Sequence, residues 1–217
     1  MQIRQVFPGI VFAFLVSCAH PNAPKVQEQS LHQVSTIDAL LQGDYDGTVS
    51  LKELSAFGDF GIGTVNGLDG ELVIENGRFY QVKSDGKVYQ PSGEIKTPFA
   101  SVVQFIPEDS VAVRDLSFVK LKQLIDSLMK SQNYFYAIWL DGKFDSVRTR
   151  SVPLQQKPYP PLVVVTQSQP EFSIPETEGK LTGFFCPEFV KGINVPGYHL
   201  HYLADDKISG GNWSIFT

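Results

Sequence analysis

The chain of 217 residues has few cysteines, no excess of basic residues and few long apolar segments. Two cysteines are too few for a disulfide framework or for a zinc site made of four thiolates. Lys and Arg number 18 against 23 Asp and Glu, so the formal net charge is −5 and the basic surface typical of nucleic-acid binding is missing. After the first 17 residues, no segment is long and apolar enough to be predicted as a membrane-spanning helix. These shortages exclude a disulfide-stapled domain and disfavour nucleic acid as a partner.

The residues that are abundant favour a folded, strand-rich protein. Hydrophobic residues make up 42% and charged residues 19%, which is close to an ordinary globular composition and excludes wholesale disorder. The 18 glycines, 14 prolines and 12% aromatic residues favour many turns and strands. An all-helical bundle is therefore disfavoured.

The N-terminal residues predict an export signal. Arg4 precedes an apolar run from Val6 to Val16, which is shorter than a membrane-spanning helix but typical of a signal peptide. The run ends in a sequence that resembles a bacterial lipobox, in which Cys18 carries lipid; an ordinary signal peptide with an incidental cysteine is the alternative. We predict a signal peptide over 1–17, a polar tether over 18–30 and an exported, periplasmic or cell-surface protein. Any membrane contact would then pass through a lipid anchor at Cys18.

Local signals predict two short helices and then a meander of strands. Cap-type residues open a helix at 35–41, and Ser50 with Glu53 matches a capping box. Asn76-Gly77 and Asp85-Gly86 are strong hairpin signals because both residues of such a turn take positive φ. The strands predicted beside these turns are 71–74, 78–83 and 87–90.

The second half of the chain predicts one longer helix and further strands. Apolar residues at helical spacing indicate an amphipathic helix over 116–131, and Asp141-Gly142 predicts another hairpin turn. The proline-rich segment 157–161 is the predicted boundary between an N-terminal mixed-sheet domain, 31–156, and a C-terminal domain, 157–217. The predicted strands are 134–140, 144–152, 162–166, 180–186 and 198–203. The predicted fold class is α+β, with two closely packed strand-rich lobes and a few short helices.

A His-x-His pair is the most informative chemical pattern. Alternate residues of a strand share a face, so His199 and His201 are expected to project together, and two imidazoles on one face can bind a metal such as zinc. The alternative is that both are ordinary surface or satisfied histidines. A turn after this strand could return Asp205 or Asp206 as a third ligand.

An acidic residue follows a tight glycine-rich turn. Glu71 comes directly after the turn 67–70, and Thr64 and Asn66 lie in a glycine-rich stretch where the backbone could approach a ligand closely. The alternative for Glu71 is a solvent-facing strand residue.

Two arginines share one face of a predicted strand. Arg148 and Arg150 lie two residues apart, and an arginine in a cleft can hold a carboxylate through two parallel hydrogen bonds. On an edge strand the same residues would simply be solvated.

Taken together, these stretches resemble the alpha-acetolactate decarboxylase family. The resemblance covers most of the chain after the tether, in the family's order. The matching stretches are STIDALLQGDYDG (35–47), LSAFGDFGIGTVNGLDGE (54–71), RTRSVPLQQKPYPPL (148–162) and PGYHLHYLADDKISGG (196–211).

The resemblance implies a two-domain fold with a zinc ion in the cleft and the conversion of 2-acetolactate to acetoin and carbon dioxide. It implies that His199 and His201 are zinc ligands and that Glu71 and Arg150 are catalytic. It also implies that Arg150 and Thr64 bind the substrate. A metal on the ketone and hydroxyl oxygens would stabilise the negative charge that decarboxylation produces. Glu71 is expected to take part in proton transfer.

This chain departs from the family pattern at its end. The family's third zinc histidine corresponds to Asn212, whose amide oxygen is a weak zinc ligand. The family's later strands and a further glutamate have no counterpart before Thr217. We therefore expect an incomplete C-terminal domain over 157–217, unpaired strand edges that could favour a homodimer, and weak or no zinc affinity.

Two alternatives to a zinc-dependent lyase stay open. The chain could be an inactive, truncated family member that at most binds a small hydroxy-keto acid. It could also be a different His-x-His metal hydrolase or oxygenase that uses Asp205 as a third ligand.

Overall fold

A computed structural model describes residues 29–213. The predicted signal peptide, and the tether before residue 29, lie outside the described residues. Among the residues that are described, no helix has the length and apolar character needed to cross a membrane.

The first part of the described chain forms a six-stranded antiparallel sheet in the order β1-β8-β3-β4-β5-β6. Its strands are β1 (His32–Val34), β3 (Phe60–Thr64), β4 (Glu71–Glu75), β5 (Arg78–Val82), β6 (Val88–Tyr89) and β8 (Ala100–Val103). β2 (Val49–Ser50) and β7 (Lys96–Thr97) pair separately. The predicted meander is confirmed, and Asn76 and Gly77 at its first turn both have positive φ.

Four helices flank the strands: α1 (Ile37–Leu41), α2 (Leu51–Leu54), α3 (Phe118–Leu128) and α4 (Leu162–Thr166). The two predicted short helices and the longer one are confirmed. The Thr36 hydroxyl accepts from the Ala39 N–H at the start of α1, and α2 begins with the full Ser50–Glu53 capping box. Short 3₁₀ turns occur at Asn66–Leu68 and Glu188–Val190.

The second part is a closed four-stranded antiparallel barrel in the order β10-β11-β12-β9. Its strands are β9 (Tyr136–Arg150), β10 (Glu171–Cys186), β11 (Gly197–Ala204) and β12 (Gly210–Trp213). Apolar residues such as Leu181, Leu200 and Tyr202 form its core, and Ile125 and Met129 at α3 pack against them. β12 bonds to both β11 and β9 and closes the barrel, through 201–203 of β11 and 149–150 of β9.

Two predictions about single elements are wrong. Asp141-Gly142 is not a turn, because β9 continues through it and pairs with Lys180 and Gly179 of the similarly long β10. Continuous pairing along a long partner outweighs a two-residue turn preference. The predicted strand 162–166 is helix α4, because one turn of helix buries Val165 and packs Leu162 beside it.

The predicted boundary at 157 does not coincide with the strand pairing. β9 precedes the proline-rich segment but pairs with β10, which follows it. The division between sheet and barrel therefore falls between Val103 and Tyr136. The two parts pack closely through a shared apolar cluster that includes Ile62 of the sheet and Phe184 of the barrel. The fold is α+β with two strand-rich parts and short helices, as predicted.

Candidate active site between the sheet and the barrel

The two histidines of β11 point to the same side of the strand, as its alternation predicts. Their Nε2 atoms lie 3.3 Å apart. His201 is fully buried, and its Nδ1 lies 2.9 Å from the carbonyl oxygen of Leu72 on β4. A carbonyl can only accept a hydrogen bond, so Nδ1 carries the proton and Nε2 presents its lone pair. This contact aims His201 into the space between barrel and sheet.

Both imidazoles are held in the neutral form. Burial, and then the positive charge of Arg150, lowers the pKa of His199 to about 4. Burial, together with the neighbouring His199, lowers the pKa of His201 well below its ordinary value. Neutral imidazole is the form that binds metal ions.

Asn212 completes a cluster of three side chains. β12 lies against β11 so that Asn212 pairs with His201, and against β9 so that it pairs with Arg150. The side-chain nitrogen Nδ2 of Asn212 is 3.1 Å from Nε2 of His199 and 3.4 Å from Nε2 of His201. The amide therefore faces both imidazoles at once.

Glu71 reaches the cluster from the sheet. Its Oε2 lies 3.5 Å from Nε2 of His201, and its side chain is only 12% exposed. Burial raises the pKa of Glu71 to about 8, although the nearby charge of Arg150 opposes this shift. The alternative of a solvent-facing Glu71 is therefore wrong.

Arg150 and Thr64 line the same space. Arg150 ends β9, beside Asn212, whereas Arg148 on the same strand is exposed. Thr64 is buried next to Glu71 in the β3–β4 register, and its hydroxyl donates to the carbonyl of Gly70 at 2.6 Å. That bond stabilises the turn that leads into Glu71.

The sequence alternative that used Asp205 is not supported. Asp205 forms an ion pair with Lys180, and Asp206 accepts from the backbone N–H of Ile208. Within residues 29–213, no three His, Cys, Asp or Glu side chains are grouped so as to hold a metal ion.

A cavity of about 340 Å³ is lined by Thr64, Glu71, Arg150, His199 and Asn212. That volume is within the ordinary range for a small-molecule site. Much of the wall consists of residues to which no role could be assigned from the sequence, although several of them lie in the stretches that resemble the family. These additional lining residues are Ile37, Leu40, Leu68, Phe99, Val152, Leu162, Thr166, Gln169, Val195 and Trp213.

The spacing of the imidazoles fits a zinc ion. Two nitrogens each about 2.05 Å from a tetrahedral zinc ion lie about 3.3 Å apart, which matches the distance between Nε2 of His199 and Nε2 of His201. Asn212 lies where a third ligand would stand, but its amide is a weaker zinc ligand than imidazole.

The sequence profile of the family described as Alpha-acetolactate decarboxylase matches residues 31–214. The chain belongs to this family. The family resemblance inferred from the sequence is therefore confirmed.

Relatives from different organisms agree with this assignment. The chain is 46% identical over 183 residues to an alpha-acetolactate decarboxylase of Methanosarcina mazei, covering 84% of this chain and 64% of the relative. It is also 46% identical over 187 residues to one of Methylococcus capsulatus, covering 86% of this chain and 72% of the relative. The chain thus spans slightly less than two thirds of the Methanosarcina protein.

The fold agrees with a solved member of the family. The crystal structure of alpha-acetolactate decarboxylase from Bacillus subtilis strain 168 superimposes with a TM-score of 0.82 at 41% identity. The match covers 84% of this chain and 79% of the Bacillus chain. The sheet and barrel described above are therefore similar to the fold of the Bacillus protein over the matched residues.

Proposed function

We propose that this chain is a lyase that converts 2-acetolactate to acetoin and carbon dioxide in the 340 Å³ cavity. The observation that carries the proposal is convergence: His199 from β11, Glu71 from β4 and Arg150 from β9 line one cavity. Nε2 of the buried His201 lies 3.5 Å from Oε2 of Glu71. The proposed reaction is the one that the names of the relatives state, and the cavity is the proposed place where it occurs.

A zinc ion is the proposed cofactor, held by His199 and His201 with Asn212 beside them. When bound, it would supply a Lewis acid that stabilises negative charge on the oxygens of the substrate.

Arg150 is proposed to bind and orient the substrate carboxylate. Its guanidinium lines the cavity beside His199 and is close enough to influence the charge states of His199 and Glu71. An arginine can hold a carboxylate through two parallel hydrogen bonds and so set the direction of the bond that breaks. When that bond breaks, the carboxylate departs as carbon dioxide and its bonding electron pair passes into the adjacent ketone.

Glu71 is proposed to carry the proton that replaces the lost carboxylate. Its carboxyl group lines the cavity wall opposite the barrel, so it would protonate one face of the substrate carbon. Thr64, paired with Glu71 across the two strands, is proposed to contact the substrate and to fix the turn that orients Glu71.

We also propose export, through the N-terminal residues that lie outside the described part. The signal peptide would direct the chain to the periplasm or cell surface, with the lipid anchor at Cys18 as one form of attachment.

The proposed reaction is tested by supplying the purified, zinc-treated chain with racemic 2-acetolactate and measuring acetoin. A sample without protein corrects for spontaneous decay, and Arg150→Met serves as the matched impaired variant. With 2-acetolactate below KM, we expect acetoin well above the spontaneous rate for the natural chain and at least tenfold less enzymatic acetoin from Arg150→Met. Equal rates in all three samples would contradict the proposal.

Binding without turnover is a second candidate, and the contact of Asn212 with both imidazoles favours it. Calorimetry with a non-decarboxylating hydroxy-keto acid separates the two candidates. Saturable binding that Arg150→Met abolishes, combined with no acetoin, would identify a binder.

A further inference from the structure

The amide of Asn212 is directed at the atoms that would bind a metal ion. Its Nδ2 lies 3.1 Å from Nε2 of His199 and 3.4 Å from Nε2 of His201. Both distances are within hydrogen-bond reach, so one amide group faces two imidazole nitrogens. The side chain of asparagine ends in both a hydrogen-bond donor and an acceptor. The acceptor oxygen can bind a metal ion, whereas the donor N–H groups cannot.

The identity of the facing atom follows from the tautomer of His201. Because Nδ1 of His201 donates to the carbonyl of Leu72, Nε2 offers only a lone pair. An amide N–H stabilises that lone pair, whereas an amide oxygen in the same place would repel it. The donor end of Asn212 is therefore the one that faces His201.

The backbone of β12 allows Asn212 little freedom to withdraw. Asn212 lies between His201 on β11 and Arg150 on β9 in the strand register. The preceding Gly211 has φ of +134°, and an added Cβ there would come within 2.8 Å of the Arg150 carbonyl. The strand is thus held tightly on both sides, and the amide must rotate or be displaced in place if the imidazoles are to bind a metal ion.

We propose that Asn212 caps the imidazole pair and competes with zinc, rather than serving as a zinc ligand. This proposal depends on the zinc site proposed above, but it concerns the affinity for zinc and not the turnover of substrate. In the metal-free chain the amide donates to the lone pair on Nε2 of His201 and lies beside Nε2 of His199. A zinc ion that takes that lone pair breaks this hydrogen bond.

The competing role and the ligand role predict opposite effects of one substitution. Asn212→Leu keeps a similar size but removes both the donor and the acceptor. If the amide competes, this variant binds zinc about fivefold more tightly, which is the effect expected for the loss of one net hydrogen bond. If the amide oxygen is a ligand, the variant binds zinc more weakly.

The experiment measures zinc affinity of the full chain in chelator-buffered solutions with a competing dye. Asn133→Leu, at an exposed asparagine in the loop before β9, is the matched control and should leave affinity unchanged. His199→Gln identifies the zinc that is bound at this site, since it should lose that zinc. Affinity of Asn212→Leu that is at least threefold tighter than the natural chain supports the cap, and unchanged or weaker affinity overturns it.

A second variant keeps the test decisive if Asn212→Leu does not fold. Asn212→Ala also removes both the donor and the acceptor and leaves a smaller side chain. The competing role predicts that Asn212→Ala binds zinc about fivefold more tightly, whereas a ligand role predicts weaker binding. Loss of one side-chain amide signal from the ¹⁵N spectrum of Asn212→Ala identifies the signal of Asn212. In the natural chain that same signal should shift when zinc is added, and a signal that zinc does not perturb would overturn the cap. Neither readout depends on acetoin formation, so an inactive chain leaves this test intact.

Discussion

Substituting Lys207 by methionine should destabilise the fold where the turn between β11 and β12 meets the sheet. Lys207 lies in the turn between β11 and β12, and its Nζ is 3.0 Å from Oε2 of Glu75, the last residue of β4. The Glu75 side chain is 7% exposed, and its other oxygen, Oε1, has no hydrogen-bond partner among the described residues. The ion pair therefore joins the hairpin that carries His201 to the strand that carries Glu71.

The magnitude follows from the unequal burial of the two partners. Removing one member of a fully buried ion pair costs about 3–5 kcal/mol, because the other charge stays buried without a partner. The Lys207 side chain is 30% exposed, so we expect a smaller loss for Lys207→Met, of about 2–3 kcal/mol in the free energy of unfolding. For a chain of this length, that loss lowers the Tm by about 5–10 °C.

The assay is equilibrium urea unfolding followed by tryptophan fluorescence, with a Tm measurement alongside. The double variant Glu75→Gln with Lys207→Met removes the orphaned charge, so it should return to within about 1 kcal/mol of the natural chain. Lys130→Met is the control, because its ion pair with Glu108 spans 3.6 Å between side chains that are 78% and 76% exposed. It should cost less than about 0.5 kcal/mol. A Lys207→Met variant as stable as Lys130→Met, or a double variant no more stable than Lys207→Met, would refute this reasoning.

Three further predictions concern single side chains. Glu71→Gln should reduce acetoin formation at least 100-fold while zinc affinity stays within a few fold, and a fully active variant would remove Glu71 from proton transfer. Arg150→Met should raise KM for 2-acetolactate at least tenfold, whereas Arg148→Met, at an exposed position, should leave KM within twofold of the natural value. Equal effects of the two variants would contradict the proposed binding of the substrate carboxylate by Arg150. Burial raises the pKa of the Cys186 thiol to about 11, so at pH 8 the thiol is protonated. A Cys18→Ser chain should thus react with a thiol reagent only after unfolding, and rapid reaction of the folded chain would show that Cys186 is accessible.

Features that depend on neighbouring residues could be predicted from the sequence. The capping box of Ser50 and Glu53, the Asn76-Gly77 turn and the shared face of His199 and His201 all depend on residues within a few positions of one another. At Asp141-Gly142 and at 162–166, contacts with residues far away in the sequence outweighed the local preference for a turn or a strand. There, β10 extends β9 through the expected turn, and packing beside Leu40 favours a helical turn over a strand.

The sequence by itself determined the residue types of the candidate site and their alternation along each strand, because covalent spacing decides which neighbours share a face. Only the tertiary structure decided that Glu71 of β4 and Asn212 of β12 meet the imidazoles of β11. That meeting depends on strand registers and on the packing of sheet against barrel. Both depend on the burial of whole apolar faces, which no short stretch of sequence contains.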